Sequence, residues 1–228
     1  MFDLLRERVH REELLDQGSG SERDVARSLA DLRRVNRWLG GRRLLRRLLD
    51  GEVRRAGLRA FSLLDVGTGS ADLAAAVRRW YPASFVVGCD RQLRHLRLSR
   101  PGDRKHVELV CGDVFRSPFP PRAFDFVVAA LFAHHFNDRD LPVLLGEMGR
   151  LARRALIVSD LDRHWLPLAF MHAAAPVFAR SPITQYDSNA SIRRAFKAGE
   201  LEQAARQAGF RQFRAAWHWF RRSLVIQL

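Results

Sequence analysis

The chain is short of the residues that mark several protein classes. Only two of its 228 residues are cysteine, Cys89 and Cys111. Two thiols do not make a disulfide scaffold; they fit a reducing, cytoplasmic setting. No apolar run approaches the ~18 residues that a membrane-spanning helix needs. The start, Met1 to Asp16, is densely charged and has no apolar leader core. Internal repeats and low-complexity linkers are missing too. Lysine is almost absent: of 39 basic residues only Lys105 and Lys197 are lysine. The net charge of +14 is therefore an arginine charge in a chain rich in alanine and leucine, and it is dispersed. Residues 1–60 carry fifteen arginines but also ten acidic residues, and the one local excess runs from Arg91 to Lys105. Dispersed charge reads as a solvated basic surface, so neither a nucleic-acid partner nor a membrane span is expected. With 47% hydrophobic residues, the chain can bury the core of one α/β domain.

Hydrophobic spacing divides that domain. Val25, Leu29, Leu32 and Val35 predict a helix over 21–38, with Ser21 as N-cap and Asp24 three residues on. A second helix is predicted over 42–56, after Gly40-Gly41. Short apolar runs then alternate with helical stretches: 61–66, 85–89, 107–111, 124–131 and 155–159. Such alternation predicts a parallel sheet buried on both faces, with a ligand site at the carboxyl ends of its strands. Residues 162–196 break the rhythm with aromatics and with Pro167, Pro176 and Pro182; they read as an insertion covering the site. A helix over 198–208 and an antiparallel pair near 210–219 and 223–228 close the chain.

The most informative stretch is Leu63-Leu64-Asp65-Val66-Gly67-Thr68-Gly69-Ser70-Ala71-Asp72. A strand enters a glycine turn that opens a helix. Gly67 and Gly69 permit close backbone approach, and the helix start offers free N–H groups. A dinucleotide fingerprint would need glycine where Asp72 stands. A carboxylate there repels a pyrophosphate and suits a ligand bearing an ammonium group. Asp90, at the end of the next run and 23 residues after Gly67, can accept from both hydroxyls of a ribose. Asp113, after Gly112, can accept from an adenine amino group while Val114 or Phe115 packs on the ring.

These residues, with Phe124-Asp125-Phe126-Val127-Val128 running into His134-His135-Phe136, make the chain resemble class I methyltransferases that use S-adenosyl-L-methionine (SAM), in particular the ubiquinone/menaquinone-biosynthesis type. The resemblance spans roughly residues 30–228. It implies a Rossmann-like, seven-stranded, mostly parallel sheet with helices on both faces and an antiparallel last pair. It implies one domain: N-terminal helices in 1–58, a SAM-binding core in 59–161, a substrate lid in 162–196, and a helix with a strand pair in 197–228. The cofactor would be held by Asp65, Gly67, Thr68, Gly69, Asp90, Arg91, Asp113, Val114 and Leu131. Asp65 would face the methionine amino group, and Leu131 would lie beside the methionine portion. Trp38, in Asn36–Gly41, would close over the nucleoside or merely pack on the sheet. Ala71 stands where many members have a third glycine, and alanine is small and helix-compatible.

The methyl donor brings its own electrophile, so the protein mainly holds an acceptor in line. A phenol would also use a general base; His134 and His135 are the candidates for base or positioning. Trp165, Phe170, Met171 and Tyr186 could line an apolar acceptor pocket or pack the insertion onto the domain. The expected acceptor is a small phenolic, quinone or polyketide-like molecule, methylated on oxygen by a monomer or homodimer. Exocyclic-amine nucleic-acid methyltransferases carry an Asn/Asp-Pro-Pro-aromatic motif where this chain reads Ala129-Ala130-Leu131-Phe132. RNA methyltransferases without that motif remain an alternative, as does a catalytically silent partner of the same fold. Asp160 and Asp162 are too few carboxylates for a metal-dependent catechol-type site, so no metal is expected.

Overall fold

The computed structural model describes Leu5, residues 7–9 and residues 11–228. Part of the charged start read above, residues 1–4, 6 and 10, lies outside the described residues. Helix α1 (Glu22–Trp38) begins at Ser21, whose hydroxyl accepts from the Asp24 N–H while Asp24 returns the bond, the reciprocal cap its sequence predicts. Helix α2 is Gly41–Arg55. Seven strands follow: β1 (Ser62–Val66), β2 (Phe85–Asp90), β3 (Glu108–Cys111), β4 (Phe124–Ala130), β5 (Ala152–Leu161), β6 (Phe213–His218) and β7 (Arg221–Gln227). They form one sheet in the order β3-β2-β1-β4-β5-β7-β6. All neighbouring pairs from β3 to β5 are parallel, and β7 runs antiparallel to both β5 and β6.

The remaining helices are α3 (Asp72–Trp80), α4 (Leu93–Arg97), α5 (Pro101–Arg104), α6 (Asp140–Leu151), α7 (Trp165–Phe178), α8 (Pro182–Arg194) and α9 (Ala198–Gln207). They cover both faces of the sheet. One face packs on α6 and α9 through Leu141, Leu144, Leu145, Met148 and Leu201; the other packs on α2 and α3 through Leu45, Leu49, Ala74 and Val77. This is why the central strands read as unbroken apolar runs rather than alternating ones.

Two local expectations are revised. The insertion after β5 is helical despite its prolines. Pro167 sits in the first turn of α7, where its missing N–H has no intrahelical partner to lose, Pro182 opens α8, and only Pro176 falls late inside a helix. Ala71 is not helical: it precedes α3 with φ 58°, in the left-handed region. Alanine pays there for the glycine the turn prefers. Ala71→Gly should therefore stabilise the fold by about 0.5–1 kcal/mol, the relief of backbone strain less the added freedom of the unfolded chain. An unmoved or lowered denaturant midpoint would contradict this.

Candidate functional site

The carboxyl ends of β1, β2, β3 and β4 open into a cavity of about 340 Å³, within the range of small-molecule sites. Gly67 and Gly69 lie in its wall with Asp90, Arg91, Asp113, Val114 and Leu131. Both glycines have positive φ, 68° and 56°. A Cβ built on Gly67 would fall 2.2 Å from the Phe132 ring, so only glycine lets that ring pack against the turn. Asp90 ties this floor together. Its Oδ2 accepts from the Gly69 N–H at 2.8 Å and its Oδ1 from the Gln92 N–H at 2.8 Å. A carboxylate offers about four lone-pair directions, which leaves two for a ligand diol. Asp113 caps a 3-10 turn over Val114–Arg116, its Oδ1 accepting from Phe115 at 3.0 Å.

Other expected residues sit elsewhere. Asp65 is buried beneath the glycine turn and accepts from the Thr68 hydroxyl at 2.7 Å; neither residue reaches the cavity wall. Burial, with the nearby charges of Asp72 and Asp90, pushes the Asp65 carboxyl up to about 7. From there it braces the turn. Trp38 does not close over the cavity: its ring is 67% exposed and lies by the Arg37 guanidinium. The helical period explains this. Leu29 and Leu32 of α1 line the cavity, and a residue nine positions beyond Leu29 points the opposite way. Among the four aromatic or Met candidates of the insertion, Met171 borders an apolar recess adjoining the cavity, with Leu15, Leu32, Val35, Leu131, Leu161 and Ile192. Phe170 instead stacks on Phe220 at 5.1 Å, Trp165 is 42% exposed beside His164, and Tyr186 lies under the Arg11 guanidinium in a separate groove.

The sequence reading missed the N-terminal segment. Residues 11–19 cross the cavity and place Glu13, Leu15 and Asp16 in its wall. Helix α8 holds them: Asp187 accepts from the Leu14 and Leu15 N–H groups at 2.8 and 3.1 Å, and the Ser191 hydroxyl donates to Glu13 at 2.7 Å. Burial, reinforced by Glu13 and Asp16, pushes Asp187 up to about 6.

Glu13 meets the two histidines after β4. The His134 ring is held between Asp160, 2.7 Å from Nδ1, and Glu13, 3.2 Å from Nε2. Burial would lower its pKa, but the two carboxylates raise it to about 10. Burial likewise opposes Glu13, yet His135 and His134 draw it down to about 2. His134 is thus a fixed cation and cannot accept a proton at neutral pH. His135, partly exposed to the cavity, has Nδ1 2.6 Å from Asp16. Ligand atoms of Glu13, His134 and His135 lie within 4.8 Å of one another, a set that could hold a transition-metal ion. Asp160 and Ser191 hydrogen-bond His134 and Glu13, and Asp16 lies beside His135, so the cluster is also held by neighbouring polar groups.

Comparisons with known proteins bear on the family and the fold. The methyltransferase domain family is matched over residues 63–155. A demethylmenaquinone methyltransferase of Roseiflexus sp. (strain RS-1) is 30% identical over 128 residues, which cover 52% of this chain and 52% of that protein. The match thus spans about half the length of that relative. Among solved structures, a Methanococcus maripaludis protein assigned as a SAM-dependent methyltransferase superposes with TM-score 0.65 at 13% identity, covering 91% of this chain and 94% of the other. Magnesium protoporphyrin IX methyltransferase from Synechocystis PCC 6803, solved with S-adenosylhomocysteine, gives TM-score 0.59 at 15% identity, covering 83% and 84%. At these identities the structures speak for the fold.

Proposed function

We propose that the chain is a class I SAM-dependent methyltransferase, a reading supported by its methyltransferase-domain match over residues 63–155 and its likeness to a demethylmenaquinone methyltransferase, and that it methylates a hydroxyl of a small aromatic acceptor, a phenol or hydroquinone bearing an apolar substituent. The observation that carries this reading is the apolar recess. It shares Glu13, Leu15, Leu32, Leu131, Leu161 and Ser191 with the main cavity, so an acceptor tail seated there brings its ring to the cavity beside Leu131. The Roseiflexus relative is named for a demethylated quinone acceptor, which agrees with this class.

SAM, when bound, supplies the sulfonium methyl group. The chain's own residues do the rest. Gly67, Gly69, Asp90, Asp113 and Val114 hold the nucleoside, with Asp65 and Thr68 bracing the turn from below. His135, oriented by Asp16, takes the acceptor proton. His134, fixed by Asp160 and Glu13, positions the backbone that carries His135. In this reading residues 59–161 hold the cofactor, the N-terminal segment within 1–58 and the helices within 162–196 enclose the acceptor, and 197–228 complete the sheet. The enzyme acts as a cytoplasmic monomer or homodimer.

A macromolecular acceptor is disfavoured. Part of the basic run from Arg91 to Lys105 is engaged by the chain's own backbone: Arg94 donates to the Gly18 and Leu15 carbonyls, and Arg104 to that of Leu96. Labelled SAM incubated with phenols and hydroquinones of increasing tail length should show turnover rising with tail hydrophobicity. Methyl transfer to RNA with a steep salt dependence would replace this reading. Asp90→Ala should weaken SAM binding by about tenfold or more, the loss of a charge-assisted hydrogen bond. Unchanged affinity by calorimetry would remove Asp90 from the site.

A further inference from the structure

Helix α7, Trp-Leu-Pro-Leu-Ala-Phe-Met-His-Ala-Ala-Ala-Pro-Val-Phe, contains no charged residue, yet it lies on the surface. Pro167 is its one buried residue. Its exposed positions, 165, 169, 172, 173, 176 and 177, recur at helical spacing and form one stripe, apolar except for His172. A helix that is apolar all round and still meets solvent is out of place on a soluble protein.

The stripe continues onto neighbouring elements. Phe170 stacks on Phe220, and Phe220 meets Trp219 in the turn between β6 and β7, where the Trp219 side chain is 75% exposed. On the other side, Arg34 of α1 donates to the Val177 carbonyl, and one turn beyond it Trp38 is exposed beside Arg37. Arg221 at the start of β7 bonds Asn36 of α1 and closes the ring. The face thus combines an uncharged helix with exposed tryptophans, and two exposed arginines flank it in the chain, Arg37 beside Trp38 and Arg180 just past the end of α7.

We propose that this face docks on an anionic phospholipid bilayer. Tryptophan, with an apolar body and one N–H, suits the boundary between headgroups and acyl chains. The flanking arginines match anionic headgroups, and the net charge of +14 supports the same partner. Fourteen residues at about 1.5 Å each make α7 about 21 Å long, too short for a ~30 Å hydrocarbon core, so it would lie in the interface plane. A second copy of the chain is disfavoured as occupant, because two such faces would oppose like charges. The face also has a use if the acceptor is apolar as proposed above. Met171, on α7 itself, borders the acceptor recess, so an acceptor dissolved in the bilayer could enter from beneath the helix.

Docking is read without any acceptor, so its failure is separable from that of the proposed reaction. The full-length protein is sedimented with phosphatidylcholine vesicles, with and without phosphatidylglycerol. Partition into the anionic vesicles should exceed that into neutral ones by about tenfold and weaken with salt. Trp219→Ser with Val177→Ser should lower it by about tenfold. Arg37→Ser with Arg180→Ser should remove the preference for anionic lipid. SAM affinity should be unchanged in both, which shows that the variants are folded. No partition, or partition indifferent to both variants, would overturn the proposal. So would a dimer in solution that the Trp219 variant dissociates without any lipid binding.

Discussion

Gly67→Ala is expected to abolish measurable SAM binding and to lower stability by about 2–5 kcal/mol, the sum of a left-handed backbone cost of about 1–2 and an overpacking cost of about 1–3. Gly67 combines two demands that are usually separate. Its φ of 68° taxes any side chain, and a Cβ there would lie 2.2 Å from Cδ2 and 2.6 Å from Cγ of Phe132. The ring cannot simply swing aside. It packs edge-on against Phe136 at 5.0 Å, and Phe136 against Phe115, so it is one member of an aromatic row along the cavity wall. Displacing Phe132 disturbs the glycine turn and the loop after β4 together, two sides of the cavity proposed to hold the cofactor. Gly69→Ala is the matched control: its φ is also positive, but its Cβ would lie no nearer than 3.8 Å to Leu29. It should pay the backbone cost and spare the aromatic row, keeping weakened binding. The test is calorimetry with SAM beside a denaturant titration of each variant. Equal behaviour of the two would mean that Phe132 has room to move and that the steric account is wrong.

How far the sequence could lead is visible in the same residues. Strand ends announce themselves, because an apolar run that stops at Asp65, Asp90 or Gly112-Asp113 marks where buried backbone meets a polar site. The sheet and the glycine turn at its carboxyl edge were therefore legible. The opposite wall of the cavity was not, for two physical reasons. Glu13 and Asp16 sit in a charged stretch without hydrophobic period, and their partners, His134 and His135, are more than a hundred residues away. Nothing local encodes that contact. Trp38 and the aromatics of α7 erred in the opposite direction. A large apolar side chain suggests a pocket, but its direction depends on helical phase, and α7 is apolar on every side, so its composition cannot say which face turns inward. Asp65 shows a subtler limit. A carboxylate at the end of a strand can serve a ligand or its own turn, and only the short bond from Thr68 shows that this one serves the turn.

The buried trio of Glu13, His134 and Asp160 should make stability depend on pH in a way few surface groups could. Three ionised groups packed together hold one another charged. His134 has its pKa raised from 6.5 to about 10 by Asp160 and Glu13, against the opposing effect of burial. A basic group whose folded pKa is raised contributes stability that is complete below its unfolded value and is lost as pH climbs through the folded one. That contribution is whole below pH 6.5 and fades toward pH 10. Glu13 works in the opposite sense: with its pKa lowered from 4.5 to about 2, its contribution is complete above 4.5 and lost on acidification toward 2. Asp160, also lowered by His134 against burial, adds to the acid limb. The trio should thus be most stabilising between about pH 4.5 and 6.5, with an alkaline decline well before arginine or tyrosine titrates in an unfolded chain. Asp160→Asn removes one anion and leaves the imidazolium buried with Glu13 alone. It should cost about 3–5 kcal/mol, the usual penalty for breaking a buried ion pair from one side. It should also move the alkaline decline to lower pH, because His134 then releases its proton more easily. Urea titrations of both proteins at pH 6 and pH 9, with the His134 imidazole followed by NMR, test both statements. A parent protein equally stable at the two pH values, or a variant whose alkaline decline stays in place, would show that His134 is buried neutral and that the network is held by hydrogen bonds without charge.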